Sequence, residues 1–240
     1  MKGNGESRSG SFIRIDPGAL RLERLELDPA MFQSPLPVQN YHLVFADEAI
    51  GMAVGVWDTT TMQEAFGPYP GDEFITVLEG AFAIVDGKGG AVRGGAGQSA
   101  CFRNAIPVSW KQDGYLKKVY LTLLDPEGEQ PEIASAEGGV RVLDPAQTQA
   151  GGAAREVLFR NDAGTMTVTE CRWPATDAAL APQPAHSLVR VLEGEIALAD
   201  ATGRRERFGV GDHVFVPRGV PCAWAAAEGT VTWQVDVTAA

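Results

Sequence analysis

The sequence predicts an all-β protein made of two tandem antiparallel modules, and three observations support that prediction. Residues 45–114 align with residues 159–228 at a constant offset of 114 positions and without a gap. The apolar runs are short, about four to eight residues each, and rich in β-branched and aromatic side chains. Clusters of Gly, Pro and Asp separate these runs at close spacing, which is typical of a β-sandwich or a β-barrel.

The aligned positions are mostly those that fix backbone turns or build cores. A Val-Leu-Glu-Gly segment stands at 77–80 and again at 191–194, and Pro107 and Trp110 also recur at the same offset. Because Gly and Pro set turn geometry and large apolar side chains are usually buried, duplication explains the matches better than chance. An alternating apolar run follows each Val-Leu-Glu-Gly, so we expect a hairpin at both places.

Length and composition set the expected domain boundaries. The 240 residues are enough for two domains of roughly 100–120 residues, each with its own core. We expect a disordered N-terminus at residues 1–11 and a first module at 12–125. A linker rich in Pro, Glu and Gly is expected at 126–138, followed by the second module at 139–240.

A fainter echo extends the repeat upstream of the aligned block. Residues 13–17 resemble residues 140–145 at an offset of 127 to 128 instead of 114. The first half therefore carries about 13 to 14 additional residues, which we place within 25–41. Residues 20–27 fit either a short helix or another strand.

The overall charge argues against nucleic acids and anionic membranes as partners. With 20 Lys plus Arg against 31 Asp plus Glu, the net charge of −11 repels phosphate backbones and anionic lipid surfaces. The basic run at 204–207 is short and falls where a turn is expected, so we interpret it as a solvated turn. No stretch approaches about 20 apolar residues and the N-terminus lacks a signal-peptide pattern, so we expect a cytoplasmic protein.

Two motifs carry a family resemblance. Residues 211–222 read Gly-x5-Pro-x-Gly-x-Pro-Cys, and together with the repeated Val-Leu-Glu-Gly they resemble the two conserved cupin motifs. The sequence is similar to a bicupin, which implies two jelly-roll barrels over about residues 45–125 and 159–237. The first half most resembles the ureidoglycine aminohydrolase and ethanolamine-utilisation cupins. The matching residues are Asp72, Glu73, the segment 77–80, Trp110, Lys118 and Tyr120.

The same resemblance allows the metal ligands of the family to be checked position by position. Cupin motifs supply three histidines and one glutamate to a divalent transition metal. In the first half these positions hold Gly67, Tyr69, Glu73 and Val108, and in the second half Ala181, Gln183, Ser187 and Cys222. In the first half one ligand of four survives, Glu73, and the whole chain has only three histidines. The resemblance therefore implies no standard cupin metal site.

A retained polar cluster in the first half predicts a ligand site. A carboxylate on an inward position of a barrel costs several kcal/mol to bury unless a partner satisfies it, so we expect Glu73 to contact Lys118. That contact is either a structural ion pair or the polar anchor of an otherwise apolar pocket. We expect the pocket of the second barrel to be more apolar. The candidate ligand-binding residues are Tyr69, Glu73, Trp110, Lys118, Tyr120 and Cys222.

For most of the cysteines, histidines and tryptophans we expect structural positions and no catalytic role. Three cysteines without CxxC spacing disfavour a disulfide framework or a structural zinc site, and Cys222 is either a buried inert residue or a reactive thiol. We expect His186 at a surface or interface and His213 as a partly exposed strand residue, and we assign His42 no role. Core or rim positions are expected for Trp57, Trp173 and Trp233.

Three functions remain open from the sequence. The first is a bicupin that binds a small polar metabolite in its first barrel without a standard metal. The second is an enzyme related to ureidoglycine aminohydrolase, with a divalent metal such as Mn, Zn or Ni near Glu73. The third is a structural or interaction module, monomeric or paired as a homodimer through barrel edge strands.

Overall fold

The computed structural model describes residues 10–124, 135–147 and 153–238. Most of the expected disordered N-terminus at residues 1–11 and of the expected linker at 126–138 lies outside these described residues. The chain divides into two compact units. The first contains the described residues between Pro17 and Thr148, and the second contains those up to Asp16 together with those after Gln149.

Regular structure in the described residues is almost entirely β. Three short 3-10 helices occur at Pro29–Met31, Glu48–Ile50 and Pro145–Gln147. The strands are β1 (Ile13–Ile15), β2 (Glu23–Arg24), β3 (Gln39–Asp47), β4 (Met52–Thr59), β5 (Met62–Gln63), β6 (Gly67–Pro68), β7 (Asp72–Glu79), β8 (Ala81–Asp86), β9 (Ala91–Gly95), β10 (Ser99–Phe102), β11 (Pro107–Gln112), β12 (Leu116–Leu123), β13 (Val140–Leu143), β14 (Arg155–Arg160), β15 (Met166–Arg172), β16 (Thr176–Asp177), β17 (Ala181–Pro182), β18 (His186–Glu193), β19 (Glu195–Asp200), β20 (Arg205–Gly209), β21 (His213–Val216), β22 (Pro221–Ala226) and β23 (Val231–Val237). No helix in the described part of the chain is both long and apolar enough to cross a membrane.

The first unit is a jelly-roll barrel of two antiparallel sheets. One sheet has the order β13-β10-β7-β12-β4-β3-β2, and the other has the order β5-β11-β8-β9, with β6 also paired to β11. Alternate side chains of a strand point to opposite faces, so each sheet turns one apolar row inward. The core between the sheets includes Ile75, Val77, Phe82, Phe102 and Trp110.

The second unit repeats this arrangement. Its sheets have the orders β1-β21-β18-β23-β15-β14 and β16-β22-β19-β20, with β17 also paired to β22. Each strand from β3 to β12 has a counterpart among β14 to β23 close to the offset of 114. The prediction of an all-β chain with a duplicated antiparallel module is therefore confirmed.

The turn after each Val-Leu-Glu-Gly is not a hairpin, so that expectation is wrong. Strand β7 pairs with β10 and β12, whereas β8 pairs with β9 and β11 in the opposite sheet. The chain crosses from one sheet to the other at Gly80, and the same crossing recurs at Gly194. Gly80 has a φ of 82°, and a Cβ there would lie 2.1 Å from the Tyr115 carbonyl oxygen. Local alternation predicted two strands and a turn, but it carried no information on which strands pair.

The domain boundaries also differ from the expected ones, because two strands join the sheet of the other half. Strand β1 pairs with β21 in the second unit, and β13 pairs with β10 in the first. These strands are the two segments of the faint upstream echo. Their similar patterns of β-branched residues and Arg suit either barrel edge, so the sequence alone did not determine which edge each one joins. Phe12, just before β1, is buried in the core of the second unit.

The additional residues of the first half form a short cover on its barrel. Residues 20–27 contain the short strand β2, which pairs with β3. The 3-10 helix Pro29–Met31 follows, and Phe32 forms an isolated β-bridge with Glu64 while its ring packs on the core. The Ala65 amide donates to the Met31 carbonyl oxygen at 2.8 Å. The insertion therefore fixes the backbone around Glu64.

The basic run at 204–207 lies partly in strand β20 and not wholly in a solvated turn. Arg204 donates to Glu206 at 2.5 Å, and its guanidinium lies 4.4 Å from the centre of the Phe12 ring. Arg14 of β1 also pairs with Glu206. The Arg14–Glu206 ion pair and the Arg204–Phe12 contact therefore hold β1 and the residue before it against β20.

Candidate functional site

The first unit contains a cavity of about 320 Å³. The expected residues of the first half all line it, namely Tyr69, Glu73, Trp110, Lys118 and Tyr120. Glu73 comes from β7, and Lys118 and Tyr120 come from the adjacent strand β12. Residues two apart on a strand share a face, which is why Lys118 and Tyr120 point into the same cavity.

Glu73 and Lys118 form a buried ion pair at the cavity. Lys118 Nζ lies 2.9 Å from Glu73 Oε1, and the two residues are only 8% and 7% exposed. The Tyr69 hydroxyl donates to the other carboxylate oxygen, Oε2. Burial, with the Glu73 charge adding to it, raises the pKa of Tyr69 well above its usual value, so this hydroxyl remains a donor. Both oxygens of Glu73 are thereby satisfied, as a buried carboxylate requires.

Two indole rings hold the ammonium group of Lys118. Its Nζ lies 4.9 Å from the ring centre of Trp57 and 4.9 Å from that of Trp110. The two rings meet edge to face, with centres 6.4 Å apart. A cation over an indole face is attracted by the ring quadrupole, and the attraction grows when water is excluded. Trp57, expected at the core or rim, is therefore also part of the cavity wall.

Gly55 of β4 lets β3 approach closely and leaves space for the Tyr120 side chain. A Cβ at Gly55 would lie 2.3 Å from the His42 carbonyl oxygen and 2.7 Å from the Tyr120 hydroxyl. Only glycine leaves that space free. Burial, with the Glu73 charge acting in the same direction, raises the pKa of Tyr120, so the phenol is neutral at physiological pH.

Glu64 also lines the cavity, although it belongs to no motif of the sequence. Its amide donates to the Trp110 carbonyl oxygen at 2.8 Å, and its own carbonyl oxygen accepts from Ser109 Oγ at 2.6 Å. No hydrogen bond within the described residues involves the carboxyl group of Glu64. Burial raises the pKa of this carboxyl to about 7, against the opposing effect of Lys118 and with the support of Glu73. The repeat offered one signal for Glu64: the aligned residue of the second half is Ala178, so the carboxyl group is specific to the first half.

The residues at the cupin metal positions do not fit a divalent metal. The single carboxylate, Glu73, already accepts from an ammonium group and a phenol. A metal ion at that point would face the positive charge of Lys118 at close range, which is unfavourable in a site of low polarity. Within the described residues, no three His, Cys, Asp or Glu side chains come together as a metal centre would need.

A larger cavity of about 530 Å³ lies elsewhere on the first unit. It is lined by the turn between β8 and β9 and by residues 135–138. The Asp86 carboxylate accepts hydrogen bonds from the amides of Lys88 and Gly90, both at 2.8 Å, and so stabilises the turn between β8 and β9. Among the described residues lining this cavity there is no buried ion pair. The smaller cavity is the better candidate because its charged groups are buried and directed inward.

The corresponding positions of the second barrel form a polar network, which differs from the apolar interior expected there. Ser187, the counterpart of Glu73, donates to Asp236 at 2.5 Å, and Gln234 donates to the same carboxylate at 2.8 Å. Trp173 donates to Thr232, the counterpart of Lys118, at 2.9 Å. These groups satisfy one another, so the second barrel has no equivalent of the Glu73–Lys118 pair within its described residues.

Cys222 lies in the core of the second unit and does not belong to the cavity of the first. It is buried among apolar side chains that include Val189, Val191 and Leu198. Burial, with the Asp200 charge acting in the same direction, raises the pKa of its thiol to about 11. The thiol is therefore protonated at neutral pH, which favours the inert interpretation of this residue.

Both histidines of the second unit are buried, which corrects the expectation that they are exposed. His186 Nδ1 accepts from the Arg218 amide at 3.2 Å, and its ring stacks on Phe215 with centres 6.1 Å apart. Burial, assisted by the positive charge of Arg190, lowers the pKa of His213 to about 3. The expectation assumed that only one face of this sheet is covered, whereas residues on both faces are buried. Trp233 is likewise buried, and Trp173 stacks on Trp224.

Comparison with protein-family models identifies a EutQ-like cupin domain at residues 155–234. The match falls on the second barrel, whereas the residues that resemble the ethanolamine-utilisation cupins lie in the first half. Comparison with curated protein sequences gives no significant match.

Solved structures of similar fold cover nearly the whole chain. A protein of unknown function from Pseudomonas syringae pv. tomato, of the family DUF861, is 20% identical with a TM-score of 0.71, covering 96% of this chain and 100% of that one. YlbA from Escherichia coli, of the same family, is 12% identical with a TM-score of 0.58, covering 95% and 91%. Salicylate 1,2-dioxygenase from Pseudoaminobacter salicylatoxidans is 14% identical with a TM-score of 0.51, covering 78% and 69%. At these identities the likeness shows the fold alone: the chain has a bicupin fold, with two jelly-roll cupin barrels.

Proposed function

We propose that the first barrel binds a small polar metabolite without a standard cupin metal. The observation that supports this proposal most directly is the buried Glu73–Lys118 pair beside an open cavity of about 320 Å³. Small-molecule sites are typically concave and largely apolar, with a few polar groups that orient the ligand. The volume is near the lower end of the range for such sites, so the ligand should be small.

The alternative of a purely structural ion pair accounts for less of the geometry. A buried ion pair is weak support for stability, because desolvation offsets much of the attraction between the charges. A structural pair also gives no reason for an adjoining cavity or for a second carboxyl group, Glu64, with no hydrogen-bond partner among the described residues. Ligand binding gives a reason for both features.

The proposal can be tested by screening small metabolites for thermal stabilisation of the full chain. We expect at least one compound to raise the melting temperature of the wild type. The same compound should have no effect on a Glu73→Ser/Lys118→Thr double variant, which removes both charges and leaves neither unpaired. Lys111→Thr changes an exposed lysine of the same unit and should behave as the wild type.

Other outcomes would favour the remaining functions. If no compound stabilises the wild type, or if the double variant responds equally, binding at this cavity is excluded and a structural role is favoured. Metal analysis of protein purified without chelator or metal affinity resin addresses the enzyme alternative. Near-stoichiometric Mn, Zn or Ni that is lost in Glu73→Gln would contradict a metal-free site.

A further inference from the structure

The charges around the cavity do not balance when Glu64 is ionised. Glu73 and Lys118 neutralise each other at 2.9 Å, and the Tyr69 and Tyr120 phenols are neutral. Lys118 is the one cationic side chain among the described residues that line the cavity. Glu64 therefore adds a carboxyl group with no positive partner of its own, close enough to Lys118 and Glu73 to be influenced by both charges.

The remaining walls are largely aromatic. Four aromatic side chains line the cavity: Trp57, Tyr69, Trp110 and Tyr120. The faces of such rings carry negative electrostatic potential, and the existing position of Lys118 between two indoles shows that the cavity already holds one cation in this way.

We infer that the ligand of this cavity is a small organic cation, with an ammonium or amidinium group beside Glu64 and an apolar part against the aromatic walls. The inference rests on the proposed function and specifies the class of its ligand. A cation at this point gives Glu64 its missing partner and restores neutrality to the site. Hydrogen bonds between charged groups are stronger than those between neutral groups, and the partial burial of the site strengthens them further.

An anionic ligand fits less well for the same reasons. Among the described residues that line the cavity, the one cation that it would meet is Lys118, whose ammonium group already contacts Glu73 and two indole rings. An anion would have to displace Glu73 and leave that carboxylate buried without its partner, which is strongly unfavourable. It would also lie close to Glu64.

Three probes of similar shape and different charge test the inference. Benzylammonium, benzyl alcohol and benzoate are titrated separately into the full chain by calorimetry at about pH 8, where Glu64 is largely ionised. We expect benzylammonium to bind at least about tenfold more tightly than benzyl alcohol, and benzoate to bind most weakly, because one charge-assisted contact is worth about this factor.

Variants of Glu64 test whether this residue causes the preference for benzylammonium. Glu64→Gln should weaken benzylammonium binding by about tenfold and leave benzyl alcohol nearly unchanged. Glu64→Asp keeps the charge and should retain the preference for the cation. Glu48→Gln, at an exposed glutamate of the same unit, is the matched control and should bind all three probes as the wild type does. Circular dichroism of each variant confirms that the fold is retained.

The outcomes separate this inference from the proposed function. Tighter binding of benzyl alcohol or benzoate by the wild type would overturn the cation assignment and leave a binding site in place. Unchanged benzylammonium affinity in folded Glu64→Gln would also overturn it. If none of the three probes binds, the metabolites that stabilise the wild type in the thermal screen provide the test. The inference is overturned if those metabolites are neutral or anionic. If neither the probes nor any metabolite binds, the proposed function fails as well.

Discussion

At the residue scale, the chemistry of the candidate site depends on three charged side chains with different environments. Glu73 and Lys118 are buried together and satisfy each other, with Tyr69 completing the hydrogen bonds of the carboxylate. Glu64 faces the same cavity but has no hydrogen-bond partner for its carboxyl group among the described residues. The cupin motif identified Glu73, and the cost of burying a charge predicted its partner. Glu64 lies outside any motif, so only the folded chain brought it into the site.

The raised pKa of Glu64 makes a testable contribution to stability. Burial raises this pKa to about 7, so the folded chain binds the proton more tightly than the unfolded chain. The stability that the protonated group provides is complete below the usual glutamate pKa and is lost as the pH rises through 7. The wild type should therefore lose roughly 1–3 kcal/mol between pH 5 and pH 8 relative to Glu64→Gln.

Urea denaturation of both proteins at the two pH values measures this difference. Glu48→Gln serves as a control and should follow the pH dependence of the wild type. An equal effect of Glu64→Gln at pH 5 and pH 8 would mean that Glu64 does not titrate in this range.

At the element scale, the strands were predictable but their partners were not. Runs of β-branched and aromatic residues located most strands, and the offset of 114 transferred each one to the second half. Pairing contradicted local expectation in two places. The chain crosses between sheets at Gly80, and β1 and β13 each complete the sheet of the other half. Alternation specifies which face a side chain occupies, but strand partners depend on contacts between residues distant in the sequence.

The crossing at Gly80 should be intolerant of any side chain. Gly80→Ala would place a Cβ 2.1 Å from the Tyr115 carbonyl oxygen at a φ of 82°, so the backbone must move. We expect a loss of about 3 kcal/mol or more in the free energy of unfolding. Gly89→Ala is the matched control, because Gly89 has a φ of 86° but no atom within 4 Å of the added Cβ.

Only the conformational strain should remain at Gly89, so Gly89→Ala should cost about 1 kcal/mol. Urea denaturation compares the two variants directly. Equal losses would show that the close approach to Tyr115 does not constrain the crossing.

At the scale of the whole molecule, the duplication preserved the scaffold and not the site. Glu73 and Lys118 correspond to Ser187, which donates to Asp236, and to Thr232, which accepts from Trp173. The second barrel therefore indicates which uncharged side chains this fold accepts at the two positions of the ion pair.

This comparison predicts the energetics of replacing the pair. Lys118→Thr alone leaves Glu73 buried without its cationic partner and bonded only to the Tyr69 hydroxyl, and should cost about 3–5 kcal/mol in stability. The double variant Glu73→Ser/Lys118→Thr, which copies the second barrel, should be more stable than Lys118→Thr by at least about 2 kcal/mol. A double-mutant cycle by urea denaturation, which includes Glu73→Ser, measures the coupling. A double variant no more stable than Lys118→Thr would argue against strong coupling between the two charges.

Four features could be predicted without the structure: the all-β class, the duplication, the loss of the cupin histidines and the cluster around Glu73. These features follow from local periodicity and from residue identity at aligned positions. Three others became known only from the folded chain: Glu64 lines the site, β1 and β13 join the sheets of the opposite halves, and His186 and His213 are buried. Each of these depends on packing between segments far apart in the chain, where several partners satisfy the same local pattern and the best-packed sheets select one.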